Sequence, residues 1–477
     1  MVGCAPGGLL AATLLDGRGR PRPHPRQPPL SPLETVLSAC PASFRPSPAL
    51  DAAVIAREAF AASIFDALRA DSVDGPGVTR TSYMADEQRA HDRFAELARG
   101  LGLAVSVDAA GNLAARFAGS RPDLPAWITG SHLDSVHVGG NFDGAAGVIA
   151  GLVAIAAMIE AGIRPERDIV LMAFRAEESS TWFVGRHGGH LGSRAALGSL
   201  WEGELDSAIH VATGRSLRAM ITEAGFDADR IEAGPPILNP ADYAGYIEVH
   251  IEQGPILENR AIPIGIVSGI RGAYRARNAK ALGAYSHSGA VPHEYRQDAV
   301  FAMADLVMAL DGEWARRRAA GEDLVVTVGK FATEADRHSL TKVPGQVDFA
   351  LDIRSQSRET LDGMEAFLRQ KARTIEAERG VALTLDPFDR SSPSLMAPEL
   401  VAALQAGADG LPIPYLTMAS GGGHDAQDFA DAGIPAAMIF VRNDRGSHNP
   451  DEAMEIADFM QATRVLANVL WAVAGAG

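Results

Sequence analysis

The stretch Gly130 to Gly147, GSHLDSVHVGGNFDGAAG, gathers residue types that can hold a metal ion. His132 and Asp134 stand at the end of an expected strand over 126–131, from which both side chains can leave toward one point. An imidazole with carboxylates is a borderline-to-hard donor set that suits a divalent ion such as zinc or manganese, and Asp134 is placed to orient His132 from behind. Asp143 follows across a Gly-rich turn, and a carboxylate with two oxygens can bridge two ions. The plainer reading is a polar turn whose aspartates cap the next helix, as Asp143 before Gly-Ala-Ala-Gly-Val would do. This stretch alone leaves both open.

Other acidic and imidazole groups fall at expected strand ends. Glu177-Glu178 follows the apolar run 169–174, at the carboxyl end of a strand, where open α/β sheets place their ligands. Adjacent side chains must diverge there, so one can bind an ion while the other faces the water that hydrolysis consumes. YIEVHIE over 246–252 alternates like a strand and puts Glu248 and His250 on one face; a lone histidine on a strand is more often a satisfied core residue than a ligand until something else converges on it. His424 opens a helix after three glycines, and His448 sits in the loop Gly-Ser-His-Asn-Pro. His287 lies in a polar turn of small neighbours, and Arg354 ends a strand with the planar fork that grips carboxylates. His187, His190 and His210 show no partner spacing and are read as surface or core residues.

These residues need a scaffold, and the composition supplies one. At 477 residues two domains are expected, and 47% hydrophobic content provides their cores. A net charge of −16 argues against nucleic acid or an anionic membrane as partner, leaving small polar substrates. No apolar run reaches the roughly 20 residues needed to span a bilayer. Cys4 and Cys40 are the only cysteines, so a metal must use His, Asp and Glu. Residues 1–46, rich in Pro and Arg, read as a disordered extension or an upstream start; they fit a secretory signal poorly, and a cytoplasmic protein is expected, with a transit sequence as the minor alternative.

From residue 47 to 262, helices over 52–69 and 86–101, a hairpin over 105–117, the His132 strand, a buried helix after Asp143 and the strand 169–174 alternate as in an α/β layer. The block 263–388 changes character. Strands over 264–268, 274–282, 324–332 and 346–353, with helices over 298–318 and 360–377, predict an antiparallel α+β domain inserted into the first. Residues 389–477 resume the first pattern, with a strand over 436–441 and a helix over 451–473. The expected fold class is therefore α/β, a doubly wound mixed sheet carrying an inserted domain.

GSHLDSV with GGNFDG, the Glu177-Glu178 pair, HIEQGP, His287 and GSHNP, in this order, resemble the M20 metallopeptidase superfamily over roughly residues 50–475. Specifically they resemble its amidase branch of N-carbamoyl-L-amino acid hydrolases, allantoate amidohydrolases and β-ureidopropionases. The resemblance implies two divalent ions per subunit, zinc or manganese with cobalt or nickel also acceptable, held by His132, Asp143, Glu178, His250 and His448, with Asp143 bridging. It implies Glu177 as general base toward a bridging water, Asp134 as the carboxylate behind His132, and Arg354 as the substrate's carboxylate clamp. His287 would steady the developing oxyanion, reaching the site across a homodimer interface formed by the inserted domain, which acts as lid. Gln253 and His424 match positions near the substrate, and Thr341 stands where relatives carry an asparagine that contacts it.

The implied reaction is hydrolysis of the carbamoyl C–N bond of an N-carbamoyl-L-amino acid or a related ureido acid, releasing ammonia and carbon dioxide. Allantoate is the alternative substrate. An aminoacylase or peptidase is disfavoured by His250, where many peptidases of the superfamily carry aspartate, and a non-catalytic metal scaffold by the presence of Glu177 and every ligand. Departures fall on the substrate side: Ser179-Ser180-Thr181-Trp182-Phe183 after the Glu pair, Thr341, and His287-Ser288-Gly289 in place of His-Ala-Gly.

Overall fold

Four strands of nearly continuous Val, Ile, Leu and Ala lie side by side and parallel: Ile169–Phe174, Ala126–His132, Tyr243–Ile251 and Ala436–Val441. Such strands are stable only when covered on both faces, and every residue of three of them is buried. A computed structural model describes residues 44–475 apart from 186 and 386, and among these the main sheet has nine strands. Antiparallel pairs flank the parallel centre, Leu113–Phe117 with Ala104–Val107 on one side and Ile264–Ile270 on the other. The expected extension over 1–46 lies outside the described residues up to 43, as do both cysteines.

The helix Ala145–Glu160 is apolar all round, and its burial follows from its place. Its Gly147 and Gly151 lie against Ser131, Val249, Thr129 and Leu171 on one face of the sheet, and helix Ile456–Val473 packs on it from outside. Side chains alternate along a strand, so Ile128, Met172 and Tyr246 point the other way. There they form a cluster with Phe429 of helix Asp425–Asp431, whose ring stacks on Tyr246 at 4.1 Å.

A second sheet of five strands runs Val325–Thr333, Gln346–Ser355, Gly272–Leu282, Ala382–Thr384, with Asp389–Ser391 also paired to Gly272–Leu282. Helices Ala299–Ala319 and Arg358–Arg379 cover one face, burying Met303, Leu306, Phe349, Leu351 and Leu368 in a core of its own.

Three expectations need correction. The strand expected near 264–268 is Ile264–Ile270 and belongs to the main sheet, because its apolar run pairs with Ala436–Val441 and Tyr415–Ser420; the second sheet starts at Gly272. The first helix is two, Pro48–Ile55 and Glu58–Ser72, separated by a turn. The last begins at Ile456 instead of 451, because Ala453 makes a bridge to Asp444. Among the described residues no helix is long and apolar enough to cross a membrane.

Candidate metal centre

The parallel strands all end at one edge of the sheet, and the candidate ligands leave from there. His132 Nδ1 faces the Asp134 carbonyl at 3.1 Å and its carboxylate at 3.3 Å, and His250 Nδ1 faces the Ile251 carbonyl at 3.0 Å. Each Nδ1 is thus the donor side of its ring, which turns Nε2 toward the neighbour. The two Nε2 atoms stand 3.4 Å apart, and Asp143 Oδ1 lies 3.1 Å from that of His250 and 3.7 Å from that of His132. Oδ1 is buried and makes no hydrogen bond. Two imidazole nitrogens and an unsatisfied carboxylate oxygen converging on one buried point make a donor set that a cation satisfies.

Asp143 serves a second group as well. Its Oδ2 is 3.4 Å from His448 Nε2, which lies 2.7 Å from Glu178 Oε1. The sets His132, Asp143, His250 and Asp143, Glu178, His448 each fit a metal ion, and they share Asp143. A third set, Glu248, His250 and His424, is already engaged: Glu248 accepts from Ser131 Oγ and the Ala426 N–H, and His424 Nε2 meets Ser420 Oγ at 2.9 Å.

The electrostatics favour cations throughout. Burial raises the Asp143 pKa, but His250 and His448 outweigh it and hold the carboxyl well below its usual range. Burial works against a charged His250, yet Asp143 lifts its pKa to about 9. Asp143 and Glu178 raise that of His448 to about 11. Burial, with the neighbouring His250 and His190, keeps His424 well below the usual histidine range and therefore neutral.

Asp143 does not cap the helix that follows. The N-cap of Ala145–Glu160 is Gly144, at φ 65° and with no side-chain cap. A Cβ there would come within 2.3 Å of the His132 ring, so glycine lets the turn pass under the imidazole. The freed carboxylate receives Ser447 Oγ at 2.6 Å and Gln253 Nε2 at 2.9 Å. Glu452 accepts the Phe142 and Asp143 N–H groups, and its carboxyl lies 2.6 Å from the same Ser447 Oγ, tying the Asp143 turn to the His448 loop. Neither Glu452 nor Ser447 carries a sequence signal beyond proximity to His448.

Glu177 is positioned through Asp134. The Asp134 oxygens accept the N–H groups of Glu177 and Glu178, both at 3.1 Å, and Ser82 Oγ at 2.9 Å. The carboxylate expected to orient His132 therefore also holds the acidic pair beside it. Glu177 Oε2 points to His132 Nε2 at 3.8 Å, and burial pushes its pKa up to about 7. His190, read from sequence as a surface or core residue, stands on its other side, with Nε2 3.5 Å from Oε1.

Beside the ligands opens a cavity of about 440 Å³ lined by Gln253, Arg271, Met418, Gly422, Phe440 and His448. Arg354 reaches this region from the second sheet, donating to the Gly421 carbonyl at 2.6 Å. Its Nε and Nη2 are engaged by Asp352 at 3.0 and 2.7 Å. His287 and Thr341 lie elsewhere. Both are exposed, neighbours across a short antiparallel pair of Ser286–His287 with Lys342–Val343, and none of their described contacts reaches the ligands. His287 Nδ1 accepts the N–H groups of Gly289 and Ala290, both at 3.1 Å, which leaves Nε2 as the donor.

Residues 128–472 match peptidase family M20/M25/M40. The chain belongs to this family. Over 399 residues, 83% of this chain and 94% of the other, this M20 chain is 36% identical to an N-carbamoyl-L-amino acid amidohydrolase of Geobacillus stearothermophilus. It is 31% identical to the allantoate amidohydrolase of Escherichia coli K12, covering 83% of this chain and 93% of that protein. In three dimensions the M20 chain is similar to a hydantoinase/carbamoylase family amidase of Burkholderia ambifaria, with a TM-score of 0.78 at 28% identity over 93% of this chain and 98% of that one.

Proposed function

We propose that this chain is a metal-dependent amidohydrolase that removes the carbamoyl group of N-carbamoyl-L-amino acids, releasing ammonia and carbon dioxide. The carrying observation is Asp143 shared between two ligand groups with the buried Glu177 beside them. His132 and His250 with one Asp143 oxygen would hold one divalent ion, and His448 and Glu178 with the other oxygen a second. When bound, the ions supply positive charge that acidifies water and polarises the ureido carbonyl.

The remaining work falls to side chains. Glu177 Oε2, facing the shared site, takes the water's proton and delivers it to the departing nitrogen, serving as base and then as acid. Arg354 clamps the substrate carboxylate, its fork held in position by Asp352. Gln253 lines the cavity and the neutral, buried His424 packs on His250 beside the substrate, while Thr341, next to His287, would meet the substrate from the second copy as His287 does. His287, with Nε2 as donor, steadies the oxyanion from a second copy of the chain.

A homodimer through the second sheet is part of this reading. Val325–Thr333 is an edge strand with Phe331 exposed, an arrangement that a second copy can cover. The expected division at 47–262, 263–388 and 389–477, with the middle part as lid, is kept in outline with its edges moved to about Gly272 and Ser391, where the second sheet with its separate core begins and ends, and the doubly wound description rests on helices lying against both faces of the main sheet. A cytoplasmic location completes the proposal.

The reading as an allantoate amidohydrolase is the second one, favoured by the Escherichia coli relative. One experiment separates them: ammonia release by manganese- or zinc-loaded protein from N-carbamoyl-L-amino acids, allantoate, N-carbamoyl-β-alanine and N-acetyl amino acids. Ammonia from the carbamoyl-L-amino acids, lost with chelator and regained with metal, is expected. Ammonia from allantoate alone selects the second reading, and amino acid freed only from N-acetyl substrates overturns both.

A further inference from the structure

His190 occupies a place that its sequence context does not announce. Its Nδ1 donates to Asp428 Oδ2 at 2.8 Å, and the same oxygen receives Ser193 Oγ at 3.1 Å. Its Nε2 lies 3.5 Å from Glu177 Oε1, and its backbone N–H donates to the Glu177 carbonyl at 3.0 Å. The ring is packed against Gly423, where a Cβ would come within 2.7 Å of Nε2. The residue adopts φ 52°, in the left-handed region that residues other than glycine adopt uncommonly.

We propose that His190, oriented by Asp428, is a positioning residue for the general base: it holds Glu177 Oε1 so that Oε2 alone presents to the reacting water. The proposal rests on the reading of Glu177 as base. Glu177 divides its oxygens between two histidines, Oε1 toward His190 and Oε2 toward His132 at 3.8 Å. Without the His190 contact the carboxylate can rotate about its last bond and share both oxygens with the site. Burial opposes the charged ring, but Asp428 and Glu177 hold its pKa up at about 10, so the ring is an imidazolium that donates from Nδ1 to Asp428 and meets Glu177 Oε1 through Nε2 as an ion pair at 3.5 Å. The proton taken from water enters and leaves through Oε2, and His190 keeps its own protons throughout. A purely structural tie is the rival account, because His190 and Asp428 also join helix Leu191–Leu197 to helix Asp425–Asp431.

The test uses full-length metal-loaded enzyme and the variants D428A, D428N, H190A and H190Q, measured for kcat, KM, metal content and melting temperature. D428A leaves the His190 backbone in place and removes the carboxylate that orients the ring, together with its contact to Ser193 Oγ. It is expected to lower kcat by about tenfold or more, toward the ~100-fold that misplacing a reacting group costs, with KM and metal content within twofold. D428N keeps an acceptor for Nδ1 and should recover most of that loss, and H190Q, retaining a donor, should lose less than H190A. In an E177Q background D428A should cost nothing further, since the group it serves is already disabled. Unchanged kcat in D428A, or a fall in kcat matched by loss of metal or by an equal fall in the E177Q background, overturns the proposal. Should the wild type hydrolyse only N-acetyl amino acids, the substrate reading fails while the same comparison still tests His190, because that reaction needs the same base. Silence on every substrate removes the role of Glu177 and that of His190 with it.

Discussion

Asp134 Oδ1 accepts the backbone N–H of Glu177 at 3.1 Å while the same oxygen lies 3.3 Å from the His132 ring. One buried carboxylate therefore sets the position of a metal-ligand candidate and of the base candidate together. Asp134→Ala is expected to weaken metal binding by about 10- to 100-fold, the usual cost of losing a group behind a ligating histidine, and to lower kcat in metal-saturated protein as well. Metal titration followed by assay at saturation separates the two effects. Full kcat at saturating metal would confine Asp134 to His132.

Glu177→Gln preserves size and burial but cannot take a proton. The ligand candidates stay intact, so bound metal should be unchanged while kcat falls by about 100- to 10,000-fold. Metal analysis and ammonia release on one sample decide it, and retained turnover in metal-replete protein removes Glu177 as base.

Metal binding should release protons. Asp143 raises the His250 pKa against burial to about 9, and Asp143 with Glu178 raises that of His448 to about 11, so both rings are protonated at pH 7 and must lose that proton to ligate. The pKa values are raised, so affinity climbs as pH rises toward 9. Calorimetry in buffers of different ionisation enthalpy should show more than one proton released per chain at pH 7; none released contradicts the ligand assignment.

Stability and site geometry meet at Arg175. Its Nη1 pairs with Glu87 at 2.7 Å, both side chains being buried, and Glu87 also accepts the Ala176 and Tyr83 N–H groups. Glu87→Ala leaves a buried guanidinium unpaired and should cost about 3–5 kcal/mol, read by denaturant unfolding. A loss below about 1 kcal/mol, typical of an exposed pair, would show the site to be hydrated.

His287 is exposed, and none of its described contacts reaches the ligand candidates. His287→Ala should lower kcat by about 100- to 1,000-fold. Mixed with Glu177→Gln protein under subunit exchange, it should regain up to about a quarter of wild-type activity, because each mixed dimer rebuilds one complete site. No recovery despite verified exchange would overturn its action from the second copy, and an unchanged kcat in His287→Ala would place it outside catalysis.

Much of this site is legible in the linear chain because its chemistry requires particular residue types at strand ends. His132, Glu177-Glu178 and His250 each follow an apolar run, and parallel strands put such ends on one edge whatever their order. The second sheet was legible in outline, since Gln346–Ser355 alternates and helix Arg358–Arg379 is amphipathic. Which groups meet is another matter. His132 and His250 face each other at 3.4 Å because their strands, far apart in the chain, are neighbours in the sheet. That adjacency, like the membership of Ile264–Ile270 in the main sheet, is settled by burial over both faces and leaves no local trace. Glu452 gripping the Asp143 turn and His190 reaching Glu177 likewise depend on loops brought together by the fold. The sequence by itself determined the donor types and the strand ends that carry them; only the tertiary structure decided that Asp143 is common to two groups, because convergence is a property of the packed sheet and not of spacing along the chain.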